Sequence, residues 1–487
     1  MKRTILSGVL VIAVATLVIA TSSSVAPTGF LRLVLAIAVI IGVLIFPRAV
    51  VPALFVALLL QGALVRNLER TIPELAAVLQ SLDEIALVAA LARVVSSLIV
   101  RSRERWFEIH DWYWPIAFAL TGLTSSVLHW SGFAPAAVGL ALACKLFGFI
   151  ALAQSVEWHD GDGDFVVKAA AWLVPCLLVT GVVGYLSPDV TAKYFAAVEG
   201  DTDYGRGGLT SFMLPFINPG LYGWAMSVGT LAWFALVLER RSARGLIGVV
   251  GGALGAILSL RRRPLLALPT AMLSAMASLG RRARVLAVAI LLLIIGGGAW
   301  IGAGSIRATI EDTVENYLDP IAREQTARGA LHAGAFLLAE RDFPLGAGFG
   351  RFGGYASQLY YSSVYDELGM SSIYGLSPDT PYYITDTYWP HLLGEVGVIG
   401  TLAMIVALWQ YWRAARKAYL SLSASPSTRL LALFVSLILV EAAIESLGGP
   451  IFEYPLQTFA IGISIGMLLR LARTRRAEPL SVSLIES

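Results

Sequence analysis

Residues 30–46 read Phe-Leu-Arg-Leu-Val-Leu-Ala-Ile-Ala-Val-Ile-Ile-Gly-Val-Leu-Ile-Phe, apolar from end to end apart from Arg32. A helix that crosses a bilayer needs about 20 mostly apolar residues. Comparable runs recur near 5–20, 49–65, 85–100, 113–128, 134–153, 166–186, 215–238, 245–260, 264–279, 285–303, 391–411, 429–447 and 451–469. They predict an all-α polytopic membrane protein with about 14 transmembrane helices, because only helices or closed barrels satisfy their backbone in lipid. Composition agrees. Of the 487 residues, 57% are hydrophobic and 14% are charged, against about 25% charged in soluble domains.

The basic residues orient these helices. Lys2 and Arg3 precede the run 5–20, which reads as a retained first helix rather than a cleaved signal peptide. With them inside and the chain alternating, the inner turns hold Arg48, Arg101 to Arg105, Arg240 to Arg244, Arg281 to Arg284, and Arg413 to Lys417. Positive residues collect on the cytoplasmic side of membrane proteins, so both termini are expected there. The implied division is 1–186 N-terminal helices, 187–214 a first outer loop, 215–303 central helices, 304–390 a large, partly helical extracytoplasmic loop, 391–470 C-terminal helices, and 471–487 a cytoplasmic tail. One cluster breaks the pattern: Arg261, Arg262 and Arg263 fall at an outer boundary. They read either as a snorkelling anchor or misplaced turn, or as a pocket for an anion, where the forked guanidinium suits phosphate.

The large loop carries eleven acidic residues against five arginines, which argues against nucleic acid or anionic lipid heads as its partner. Its last third holds Tyr355, Tyr360, Tyr361, Tyr365, Tyr374, Tyr382, Tyr383 and Tyr388, with Trp389. Such side chains offer an apolar face and a polar tip, which suits sugars; Tyr388 and Trp389 also fit an interfacial belt. Other motifs carry no chemistry in this reading. Gly346-Ala-Gly348-Phe-Gly350 reads as a turn, and Asp160-Gly-Asp162-Gly-Asp164 as a solvated turn that lacks the later residues of a calcium loop. The two cysteines, Cys144 and Cys176, sit in apolar runs. The scattered histidines give no metal cluster, so no metal is expected. Lys145 within an apolar run is either functional or half of a structural ion pair. Glu441 and Glu445, one helical turn apart, either face a common cavity or pair with arginines.

Several segments together resemble the O-antigen ligase and polysaccharide polymerase superfamily of bacterial envelopes, over roughly residues 200–470. Arg206-Gly-Gly-Leu-Thr-Ser-Phe followed by Asn218-Pro219 is similar to the family's Arg-x-x-Gly-x-Phe and Asn-Pro-Asn, with Gly220 in place of the second Asn. Ser259 to Leu268, centred on Arg262, resembles a Ser-Arg-Gly-Ala motif that opens a helix. Arg328 opens a helix leading to Phe343-Pro-Leu-Gly-Ala-Gly, and Asp386 to Gly400 resembles His-Asn-x-x-Leu then Glu-x-Gly-x-x-Gly. Counting back from Glu395, the family's histidine falls on Asp386, which favours a polymerase-like branch over a ligase.

The resemblance implies a metal- and cofactor-independent glycosyltransferase. It would extend a polyprenyl-pyrophosphate-linked oligosaccharide on the outer face of the bacterial cytoplasmic membrane. The expected catalytic residues are Asp386 as base, with Arg206, Arg262 and Arg328 against the departing phosphate. The expected substrate contacts are Arg261, Arg263, His391, Glu395, Tyr388 and Trp389. His391 and Glu395 remain alternatives for the base. Membrane lipid and proteins that set chain length or export the polymer are expected partners; nucleic acid is not. The competing classes are a ligase to another acceptor, a transporter or flippase of lipid-linked sugars, and a non-catalytic scaffold.

Overall fold

The computed structural model describes residues 26–100, 107–195, 205–206, 209–240, 243–276 and 326–477, with isolated positions between 284 and 296. Outside the described residues lie Lys2 and Arg3, the expected helix 5–20, Arg101, Arg103 and Arg105, Arg241, Arg281 and Arg282, most of the run 285–303, the loop from 304 to 325, and the tail from 478. The side chains of Arg206, Arg244, Arg475 and Arg476 lie outside them too.

The described chain is helical apart from an antiparallel pair of two-residue strands, Gly205–Arg206 (β1) and Leu209–Thr210 (β2). The first half holds Ala26–Ile45 (α1), Pro47–Glu69 (α2), Pro73–Gln80 (α3), Leu82–Val100 (α4), Tyr113–Leu128 (α5), Phe133–Ala143 (α6), Lys145–Gln154 (α7), Asp160–Leu186 (α8) and Pro188–Tyr194 (α9). The second half holds Pro219–Arg240 (α10), Ala243–Leu258 (α11), Arg262–Met276 (α12), Ala327–Arg341 (α13), Tyr355–Leu359 (α14), Val364–Glu367 (α15), Trp389–Leu420 (α16), Pro426–Glu445 (α17) and Pro455–Ala477 (α18).

Among the described residues, seven helices are long and apolar enough to cross a membrane, and nine spans result if the bent pairs α3–α4 and α6–α7 each count as one. The other predicted runs that fall on described residues coincide with helices too short for a full crossing: α5 and α11 have 16 residues and α12 has 15. Large apolar side chains point outward, with Ile247 76% and Trp172 66% exposed. Water would penalise that surface, whereas lipid solvates it. The chain is built as a helical multi-pass membrane protein.

Where helices meet, small residues let them approach, as is usual in membranes. Gly229 lies against Val174 and joins α10 to α8; Gly466 lies against the Ile150 carbonyl and joins α18 to α7. Lys145 has its partner: its Nζ donates to Asp83 Oδ2 at 2.5 Å and to the Glu453 carbonyl at 3.4 Å. The structural alternative of the sequence reading therefore describes its surroundings. This pair ties α4, α7 and the turn before α18 together. The Asp160 segment corrects an expectation, since it forms the first turn of α8 instead of a free turn. Asp162 accepts from the His159 N–H at 2.8 Å, and Asp164 pairs with Arg240 at 2.7 Å. Acidic residues favour a helix N-terminus through its dipole.

The glycine-rich stretch after α13 does turn, with positive φ at Gly346, Gly348 and Gly350, and it turns inside the protein. Ser125 Oγ donates to the Gly346 carbonyl at 2.5 Å, and Phe349 N donates to Ser126 Oγ at 2.8 Å, so α5 holds one side. On the other side α16 is broken at Gly397, whose φ is 64°. Ala347 N and Gly348 N donate to the freed carbonyls of Gly394 and Glu395, both at 2.8 Å. The segments before and after this loop form a second core of Leu331, Leu338, Phe352, Tyr365, Met370 and Ile384. Two expected sugar-facing tyrosines serve that core: Tyr365 is fully buried, and the Tyr361 hydroxyl donates to the Leu376 carbonyl. Burial raises the Tyr365 phenol above its ordinary range, so it stays neutral between Gly353 N and Ser357 Oγ.

A Cβ at Gly397 would strike the Pro344 carbonyl, and its φ is unfavourable for any L side chain. Gly397→Ala should destabilise the protein by about 2 kcal/mol or more. A lowered thermal midpoint in detergent, with Gly161→Ala as the neutral control, checks this.

Candidate functional site

Three helix beginnings converge. α11 ends at a tight reversal in which Ser259 Oγ donates to the Ala256 carbonyl at 2.6 Å and Leu260 takes a φ of 52°. α12 then begins at Arg262, with Pro264 in its first turn, where a missing N–H costs nothing. The reversal thus sets Arg261, Arg262 and Arg263 at a helix N-terminus, which is itself suited to anions. α10 begins after Asn218, whose Oδ1 accepts from Leu221 N at 2.8 Å. α13 begins after Thr326, whose hydroxyl caps Gly329 N at 3.2 Å, and this places Arg328 in the first turn.

These three ends border one cavity of about 990 Å³. Its polar lining includes Arg66, Arg261, Arg262, Arg263, Arg328, Asp386 and Asn218, and its apolar lining includes Leu58, Val65, Ile217, Leu221, Ile451 and Leu456. Arg328 Nε and Nη2 both donate to Asp386 Oδ2, at 3.1 and 2.9 Å. Asp386 therefore does not cap α16, whose N-cap residue Tyr388 makes no side-chain cap bond. Arg263 runs across the backbone of Gly448 and Gly449, where a side chain at either position would meet its guanidinium group.

The structure brings Arg261, Arg262, Arg263, Arg328 and Asp386 together, though 58 residues separate the last two. Arg206 lies in β1, and its side chain is outside the described residues. The other expected substrate contacts form a buried layer beside the cavity rather than its lining. His391 Nδ1 lies 2.6 Å from Glu453 Oε1, and its Nε2 lies 3.0 Å from Glu395 Oε2. Glu395 Oε1 accepts from Phe352 N at 3.1 Å, so this triad binds the C-terminal helices to the second core. Tyr388 is buried edge-on against Trp389, and Trp389 Nε1 donates to Ser446 Oγ at 3.0 Å. Burial inside the protein, not at a lipid surface, explains Tyr388.

Sequence reasoning missed several lining residues, among them Gln61 and Arg66 of α2 and Tyr454, whereas Tyr383 was among the expected sugar-facing tyrosines. Gln61 and Arg66 are polar interruptions toward the end of an apolar helix, the one local signal that could have marked them. Glu108, His110 and Asp111 come close enough together to hold a cation. However, Arg473 already pairs with both carboxylates there, which disfavours a second positive charge.

No protein-family model matches the chain, and no curated protein matches it.

Guanidinium groups at a helix N-terminus should bind a polyphosphate. Inorganic pyrophosphate should raise the thermal midpoint of the purified protein, whereas potassium chloride at equal ionic strength should not. Ligand at about 100 times its Kd adds about 2.7 kcal/mol, and the Arg262→Ala, Arg263→Ala double variant should lose that shift.

Proposed function

We propose that this chain is a membrane glycosyltransferase of the O-antigen ligase and polysaccharide polymerase type, acting on a polyprenyl-pyrophosphate-linked oligosaccharide. The observation that carries the reading is the mixed lining of one cavity, in which Arg66, Arg261, Arg262, Arg263 and Arg328 stand with the aliphatic side chains of Leu58, Val65, Ile217, Leu221, Ile451 and Leu456. A soluble nucleotide or free phosphate needs the arginines only. A ligand with an anionic head and a hydrocarbon tail uses both kinds of side chain. The order of the motifs around Asn218, Arg262, Arg328 and Asp386 supports the same reading.

In this proposal the acceptor hydroxyl attacks the anomeric carbon of the donor and gives up its proton to a carboxylate that lines the cavity. The bond from that carbon to the pyrophosphate oxygen breaks, and the leaving lipid pyrophosphate carries the electron pair. Arg261, Arg262, Arg263 and Arg328 meet the charge that grows on it, the preorganised electrostatic contribution that usually dominates such catalysis. Asp386 holds Arg328 in position through the oxygen that accepts both of its N–H groups. Because Asp386 stands where the family carries histidine, polymerisation is favoured over ligation to another acceptor. The fuller topology belongs to this proposal: about 14 crossings, both termini in the cytoplasm, and the segment around 304–390 on the outer face of a bacterial inner membrane. Proteins that control chain length or export would be its partners there.

One observation favours a second reading. Lys145 with Asp83, and His391 with Glu395, are charged groups buried among the helices, as in transporters of lipid-linked sugars.

The purified chain, given a polyprenyl-pyrophosphate oligosaccharide, should produce a ladder of longer glycans. Arg262→Ala, Arg328→Ala and Asp386→Ala should each reduce it at least about 100-fold. A native chain that binds several such donors yet extends none would favour transport.

A further inference from the structure

Three carboxylates line the cavity: Glu69, Asp386 and Glu445. Glu69 is half exposed and stands 3.8 Å from Arg66. Asp386 is engaged by Arg328. Glu445 differs from both. It is 4% exposed, at the last turn of α17, and its Oε1 has no hydrogen-bond donor in place among the described residues. Arg263, held over Gly448 and Gly449, acts on it electrostatically. One turn back, Glu441 is fully buried, with the Trp224 indole and the Glu445 carboxyl as its polar neighbours. The charged groups that face this pair are each other and Arg263. Two adjacent carboxylates in an apolar surround repel, and one shared proton turns that repulsion into a hydrogen bond. A buried carboxylate that lines the cavity beside Arg263 is placed to receive a proton.

We propose that Glu445 takes the proton from the acceptor-sugar hydroxyl and that Glu441 is the positioning residue that shares it; this rests on the glycosyl-transfer reading above. As the acceptor oxygen bonds to the anomeric carbon, its proton moves to the Glu445 carboxylate. The bond to the pyrophosphate oxygen breaks, and its electron pair leaves with the lipid pyrophosphate. The proton passes within the Glu445–Glu441 pair and is released to water when the cavity empties. No oxidant, reductant or further reactant is involved.

The test uses the full chain in lipid nanodiscs with the polyprenyl-pyrophosphate oligosaccharide, reading donor binding and glycan elongation separately. Glu445→Gln should lower turnover about 100-fold or more, the usual worth of a positioned base, with donor affinity within about twofold. Glu445→Asp should recover part of the loss. Glu441→Gln keeps a donor toward Glu445 but cannot take up its proton, and should lower turnover at native donor affinity. A merely structural Glu441 would lower the thermal midpoint and leave the turnover of the folded protein unchanged. Native turnover in Glu445→Gln overturns the assignment alone. If that variant does not fold, Glu445→Asp decides: native turnover overturns the assignment, and a loss of about tenfold at native donor affinity supports it. No elongation by the unaltered chain overturns the assignment and the proposed function together.

Discussion

The break at Gly397 is the constraint on which the C-terminal half depends. A helix interrupted inside a bilayer leaves carbonyls without donors, and such backbone is tolerated only where protein covers it. Here the cover is the glycine-rich loop, whose Ala347 and Gly348 N–H groups reach the Gly394 and Glu395 carbonyls. The loop in turn is held from the far side by Ser125 and Ser126. One exchange of hydrogen bonds thus fixes α5, α16 and the start of the second core.

The arginines depend on a different balance. Adjacent guanidinium groups repel, and close approach is tolerable only with compensating charge or a ligand. Glu445 lies beside Arg263, and Asp386 binds Arg328. The cavity is therefore positive at its head and locally anchored at two carboxylates. α2 lines the cavity with Leu58 and Val65, while only 17% of its most apolar stretch is buried.

Helical character and membrane segments were legible because an apolar run of bilayer length is a one-dimensional signal. The arginine cluster was legible too, since three consecutive cations beside apolar runs violate the pattern of the rest of the chain. The meeting of Arg328 with Asp386 was foreshadowed only by motif order. What local sequence does not encode is which face of a helix turns inward. His391 and Glu395 look like site residues by position, yet they spend their side chains on Glu453 and Phe352 N. Tyr365 looks like a sugar platform and is a core residue, whereas Tyr374 and Tyr382 are more than 60% exposed. The acidic segment at Asp160 read as a turn because its glycines outweighed its capping acids; its partners His159 and Arg240 become neighbours only in the helix.

Gly448 and Gly449 carry a lesson about where function is written in a sequence. They make no hydrogen bond to a ligand and hold no charge; they are the space in which the Arg263 side chain lies. A methyl group added at either position would evict a cation from the cavity while leaving every charged residue of the site in the sequence. Vacancy is therefore a heritable part of this binding surface. A relative that retained every arginine of the cavity but bore bulkier residues after its equivalent of α17 would present a different electrostatic face there.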